Sequence, residues 1–91
     1  MPTWSVVEST VPTDGARAEL ICTTVAGVAA AGGGLEEALQ RLIPLALGRA
    51  DLIQLAHRSC TAYLRAHPDD AVWRRTAHLL ERSLTTGVFD A

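Results

Sequence analysis

Four segments of the chain repeat apolar residues at the spacing of an α-helix. In the first segment, residues 14–31, apolar residues return every three or four positions and share one stripe. Thr13 or Asp14 offers an N-cap, and the three glycines at 32–34 can adopt the left-handed conformations that end helices. We therefore predict a first helix over 14–31. Its buried stripe consists of Ala18, Ile21, Cys22, Val25, Val28 and Ala29.

The second and third stripes run in almost one phase from Leu35 to Leu64. Pro44 lies on the polar side, where a missing backbone donor bends a helix, and Gly48 offers a break. The pattern is therefore compatible with one long bent helix over 35–66 or with two helices, the later one over 50–66. The stripe residues are Leu35, Ala38, Leu39, Leu42, Ile43, Leu45 and Ala46, followed by Leu52, Ile53, Ala56, Cys60, Tyr63 and Leu64.

The fourth segment shows the clearest separation of apolar and polar residues. Pro68 suits the first position of a helix, and Asp69 and Asp70 suit its first turn. We predict a helix from Pro68 to Thr86, followed by Gly87. Its apolar arc is wide enough to contact two neighbouring helices. The arc contains Val72, Trp73, Thr76, Ala77, Leu79, Leu80 and Leu84.

The N-terminal residues follow a different pattern from the rest. Residues 1–13 contain two prolines and the β-favouring run WSVV. They predict an irregular or short-strand arm, whose Trp4 packs on the helices or on another chain. The predicted fold class is all-α, a small four-helix bundle-like domain. It comprises the arm at 1–13, a single helical domain at 14–87 and a C-terminal tail at 88–91.

The composition indicates the environment in which the protein works, but it does not identify a function. The 91 residues suit one domain, and the net charge of −2 gives no general attraction to nucleic acid or anionic membrane. Residues 1–40 carry one arginine against five acids, a balance of −4, and residues 41–82 carry seven arginines against four acids, a balance of +3. This asymmetry has two possible explanations. The charges lie on ordinary solvated helix faces, or they form a polarised surface that binds an acidic partner or a second copy of the chain. No signal sequence or membrane-length apolar run occurs, so we expect a cytoplasmic protein.

The sequence gives only weak support for a phosphate-binding, metal or catalytic site. The three glycines follow a helix and precede two glutamates, which favours a connector over a phosphate-binding loop. Cys22 and Cys60 lie within apolar stripes, where a free cysteine packs like a small hydrophobic residue. His57 is the one residue spaced closely enough to Cys60 to suggest a zinc ligand or a thiolate base. We therefore predict no enzyme activity, metal or cofactor.

Two functions remain after these exclusions. We favour a non-enzymatic interaction or regulatory module that forms a homodimer or binds another protein, because tryptophan is enriched at interface hot spots. Its candidate contact residues are Trp4, Trp73 and Phe89. The alternative is a small helix-turn-helix DNA-binding regulator. Its candidate contact residues are Arg58, Arg65, Arg74, Arg75 and Arg82. DNA binding is the less favoured of the two, because Asp69, Asp70 and Glu81 accompany these arginines and the net charge is negative.

Overall fold

The computed structural model describes residues 13–46 and 48–87, which form four α-helices and no strand. The helices are α1 (Asp14–Ala30), α2 (Leu35–Ala46), α3 (Ala50–Ala66) and α4 (Ala71–Thr85). Each helix contacts the other three, which confirms the predicted all-α, four-helix bundle-like fold. Residues 1–12, Leu47 and residues 88–91 lie outside the described residues, and the predicted arm, Trp4 and Phe89 fall among them.

The core forms where the four apolar stripes meet. All six residues predicted for the α1 stripe are buried, as are four of the six predicted for α3. Full burial of a valine, leucine or isoleucine side chain contributes about 1.5–3 kcal/mol to the free energy of folding. Burial of these stripes therefore stabilises the folded state. The largest fully buried apolar side chains are Ile21, Val25, Leu42, Leu52, Ile53 and Leu80.

Local signals at both ends of α1 explain its bounds. Thr13 is the N-cap, and its Oγ1 accepts a hydrogen bond from the Ala16 N–H at 3.1 Å. At the other end Gly32 has a φ of 80°, which favours glycine. A Cβ on Gly33 would lie 2.6 Å from Cγ1 of Val28, so a side chain there would force the turn to move.

The structure has two helices between residues 35 and 66, so the long bent helix does not form. Pro44 remains inside α2 on its exposed side, and the chain turns at Gly48, whose φ is 76°. Arg49 donates to both carboxylate oxygens of Asp14 at 3.0 Å and to those of Asp51 at 2.7 and 3.3 Å. These hydrogen bonds lower the pKa of both carboxyl groups and attach the α2–α3 junction to the start of α1.

The predicted start of the last helix was wrong by three residues. Helix α4 begins at Ala71 rather than at Pro68. Asp70 is its N-cap, with an extended backbone, and its Oδ1 accepts a hydrogen bond from the Trp73 N–H at 3.2 Å. A carboxylate that caps the first free N–H groups ends the preceding turn instead of joining the helix. The helix also ends one residue early, at Thr85.

Several burial predictions at the edges of the stripes were also wrong. Ile43 is 51% exposed and Tyr63 is 39% exposed, although both were placed in the core. Ile43 lies about 100° around the helix axis from the buried Leu42, which turns it away from the neighbouring helices. Ser83 is buried instead, because its hydroxyl donates to the Leu79 carbonyl at 2.8 Å and needs no water.

The helices also differ from membrane-spanning segments. Within the described part of the chain, no helix has both the length and the apolar character that crossing a bilayer requires.

Candidate functional site

A groove of about 420 Å³ lies between α1, α3 and the first turn of α4. Three helices converge on it, whereas a larger depression of about 820 Å³ is formed by α2 and the glycine just before it. Convergent side chains from several elements are typical of binding sites, so we take the smaller groove as the candidate site. Its lining residues are Gly15, Glu19, Cys22 and Thr23 from α1, Ser59, Cys60 and Tyr63 from α3, and Trp73 from α4.

Two aromatic rings form one wall of the groove. The ring centroids of Tyr63 and Trp73 are 5.2 Å apart, with the ring planes tilted by 48°. The Tyr63 ring also contacts the His67 ring, at a centroid distance of 4.5 Å. Trp73 is half-buried and Tyr63 is exposed, so the wall remains accessible to a ligand or a partner.

Asp70 holds this aromatic wall in place. Its Oδ2 accepts a hydrogen bond from the Tyr63 hydroxyl at 2.9 Å, while its Oδ1 caps α4 at the Trp73 N–H. The hydrogen bond to the Asp70 carboxylate raises the pKa of Tyr63. One side chain therefore determines both the position of the Tyr63 ring and the start of the helix that carries Trp73.

Two cysteines line the inner part of the groove, and both are free and buried. The Cys22 thiol donates to the Ala56 carbonyl at 3.1 Å, and the Cys60 thiol donates to the Trp73 carbonyl at 3.3 Å. Burial raises the pKa of Cys22 to about 11 and also raises that of Cys60. Both thiols are therefore protonated at neutral pH, and a protonated thiol is a weak nucleophile and a poor metal ligand.

One lining residue of the groove is charged, and its charge is negative. Glu19 is the one lining carboxylate, it is exposed, and it makes no ion pair within residues 13–46 and 48–87. None of the lining residues is basic. In the same described part of the chain, no three side chains of His, Cys, Asp or Glu come together as a set that could hold a metal ion.

The predicted contact residues are only partly brought together. Trp73 lies at the groove, whereas Trp4 and Phe89 are outside the described residues. Sequence reasoning missed Glu19 and misplaced Tyr63 in the core. Tyr63 lies three residues after Cys60, at the edge of the α3 stripe, and its polar hydroxyl was the signal for its exposure. At such an edge the ring can pack while the hydroxyl reaches water or a carboxylate.

The five arginines considered for DNA binding are all exposed. Arg58 and Arg65 lie on α3, and the other three lie on α4. Arg75 donates to the Gly33 carbonyl at 3.0 Å and thereby ties α4 to the α1–α2 turn. The side chains of the remaining four form no hydrogen bond or ion pair with another described residue. They are Arg58, Arg65, Arg74 and Arg82.

No protein-family model, curated protein or solved structure matches the chain. The contacts and charges of the groove are therefore the basis for assigning a function.

Proposed function

We propose that the domain is a non-enzymatic protein-interaction or regulatory module of the cytoplasm that forms a homodimer through the groove between α1, α3 and α4. The observation that carries this proposal is the accessible wall formed by Tyr63 and the half-buried Trp73. Tyrosine and tryptophan are enriched at protein interfaces, and a tryptophan in a pocket often supplies a large share of the binding energy.

The chemistry of the groove supports association rather than catalysis. A catalytic cysteine needs a lowered pKa and a neighbouring base. Here the thiols of Cys22 and Cys60 donate to backbone carbonyls, and burial shifts their pKa upward. Two free thiols also suit the reducing cytoplasm.

The test is to fill the groove without removing core contacts. Trp73→Ala is ambiguous, since this side chain also packs against the core. Ser59→Trp is better, because Ser59 is exposed at the groove and the larger ring would occupy the space available to a partner. Gln54→Trp is the matched control, an exposed site on the same helix outside the groove lining.

Sedimentation velocity over a concentration series measures the outcome, with circular dichroism to confirm folding. We expect a dimer for the unchanged chain and for Gln54→Trp, and a monomer for Ser59→Trp. A chain that stays monomeric at every concentration would contradict the proposal. So would a Ser59→Trp variant that dimerises as well as its control.

DNA binding remains a second candidate function because of one specific observation. Arg58 and Arg65 on α3, and Arg74 and Arg82 on α4, are exposed, and their guanidinium groups have no partner among the described residues. Helices α3 and α4 are adjacent and joined by a short turn, and unpaired arginines can contact phosphates or guanine edges.

Fluorescence anisotropy with duplex DNA at two salt concentrations distinguishes the candidates. If the arginines contact phosphates, affinity falls steeply with salt, with a slope of about −0.9 per neutralised phosphate. Replacing Arg74 and Arg82 with alanine should then reduce that slope by about two. Absence of binding at low salt would exclude this candidate.

A further inference from the structure

We infer that the groove of one copy receives the guanidinium group of an arginine from a second copy, with Glu19 as its ionic partner and Tyr63 and Trp73 as its aromatic wall. This inference rests on the proposed self-association and specifies the contact that produces it.

The groove has the features that recognise a guanidinium group. The exposed Glu19 carboxylate has no ion-pair partner within the described residues, and no basic side chain lines the groove. The rings of Tyr63 and Trp73 stand on the same groove. A planar guanidinium can stack on an aromatic face while its N–H groups bind a carboxylate.

The second copy can supply only one type of permanently positively charged side chain. All eight basic residues of the chain are arginines, and there is no lysine. Half of these arginines already have partners within the fold, because Arg17 binds the Leu45 carbonyl, Arg41 pairs with Glu37, and Arg49 and Arg75 make the contacts described above. The arginines that remain available are Arg58, Arg65, Arg74 and Arg82.

Symmetry selects two of these four. In a two-fold dimer the same patch of both copies forms the interface, so the donor arginine must lie beside the acceptor groove. Arg58 directly precedes the lining residue Ser59, and Arg74 directly follows Trp73. Among the four available arginines, these two are joined directly to a groove-lining residue, so their backbone lies next to the groove wall.

The other two arginines serve as internal controls. Arg65 is seven residues beyond Arg58, so it lies on the same side of α3 as Arg58 but about 10 Å further along the helix. Arg82 is nine residues beyond Trp73, about 13 Å along α4 at 1.5 Å per residue. Both are exposed like Arg58 and Arg74, so they match them in charge and exposure but not in position.

The first experiment measures the dimer dissociation constant by sedimentation equilibrium at low and high salt. We expect Glu19→Gln to weaken the dimer about tenfold, equal to about 1.4 kcal/mol, and to remove most of its salt dependence. The double variant Arg58→Gln with Arg74→Gln should behave in the same way. Glu36→Gln and the double variant Arg65→Gln with Arg82→Gln are the controls, and we expect both to match the unchanged chain.

The second experiment exchanges the charges. Glu19→Arg should prevent homodimerisation through repulsion, and so should the double variant Arg58→Glu with Arg74→Glu. Mixed in equal amounts, the two variants should form a heterodimer, because both reciprocal contacts then join opposite charges. A purely structural effect of either change would not be rescued by mixing.

Failure of this inference is distinguishable from failure of the proposed function. A dimer that Ser59→Trp disrupts, but that Glu19→Gln weakens no more than Glu36→Gln does, overturns the guanidinium contact and leaves self-association intact. Equal weakening by the two double arginine variants, or no heterodimer on mixing, also overturns it. A chain that is monomeric at every concentration overturns both.

Discussion

The thiol of Cys22 offers a quantitative test of how the helices pack. Burial against α3 raises its pKa from the ordinary 9.0 to about 11, which lowers the thiolate fraction at neutral pH about 100-fold. A more basic thiolate is intrinsically more nucleophilic, by about eightfold for two pKa units at a Brønsted coefficient of about 0.45. The net expectation is a disulfide-exchange rate at least about tenfold below that of an unfolded cysteine, and limited access to the 4% exposed residue lowers it further.

The pH dependence follows from the same shift. The rate should keep rising with pH toward about 11 instead of levelling off near 9. Because the pKa is higher in the folded protein than in the unfolded chain, ionisation of this thiol favours unfolding. Its contribution to stability is complete below about pH 9 and is lost progressively between about pH 9 and 11.

The assay uses Ellman's reagent on the Cys60→Ser variant, in which Cys22 is the remaining thiol. Serine keeps a donor for the Trp73 carbonyl, which Cys60 now binds, so the fold should be retained. The same variant in denaturant gives the reference rate. A native rate at pH 7.5 equal to the unfolded rate would refute the reasoning, as would a plateau near pH 9.

Three further predictions concern stability and are measured by thermal or urea unfolding followed by circular dichroism. Gly48→Ala should lower the free energy of unfolding by about 1 kcal/mol, because φ is 76° there, and no atom within 4 Å of the added Cβ increases that cost. An unchanged unfolding midpoint would contradict the positive-φ turn at Gly48. Thr13→Ala should also cost about 1 kcal/mol through loss of the α1 cap, whereas Thr13→Ser should be nearly neutral if the hydroxyl is responsible. Ile53→Ala should cost about 2–5 kcal/mol, since the side chain is fully buried. The exposed control Ile43→Ala should cost less than about 0.5 kcal/mol, and similar losses at both sites would contradict the assigned faces.

The helices themselves could be predicted because their signals are local. The apolar period, the cap at Thr13 and the glycine at 32 each act within about one helical turn. As a result α3 has the predicted bounds and α1 differs from its prediction by one residue. The same locality explains why every residue of the central α1 stripe was placed correctly in the core.

The break between α2 and α3 required the tertiary structure. Apolar residues keep almost one phase across residues 35–64, so periodicity alone allows both a bent helix and two separate helices. The distinction depends on the turn at Gly48 and on the bond between Arg49 and Asp14, which are 35 positions apart in the chain. A contact at that separation has no signature in a short window of sequence.

The candidate site depended on the tertiary structure for the same reason. Its carboxylate lies on α1 and its aromatic wall on α3 and α4, so Glu19 and Trp73 share a groove only after the helices pack. Helical periodicity shows which stripe of a helix is apolar, but not how far a neighbouring helix covers the edges of that stripe. Tyr63 remains exposed at such an edge, held by the Asp70 carboxylate. The sequence by itself thus determined the four helices and their central faces, while the packing decided which edge residues stay accessible to a partner.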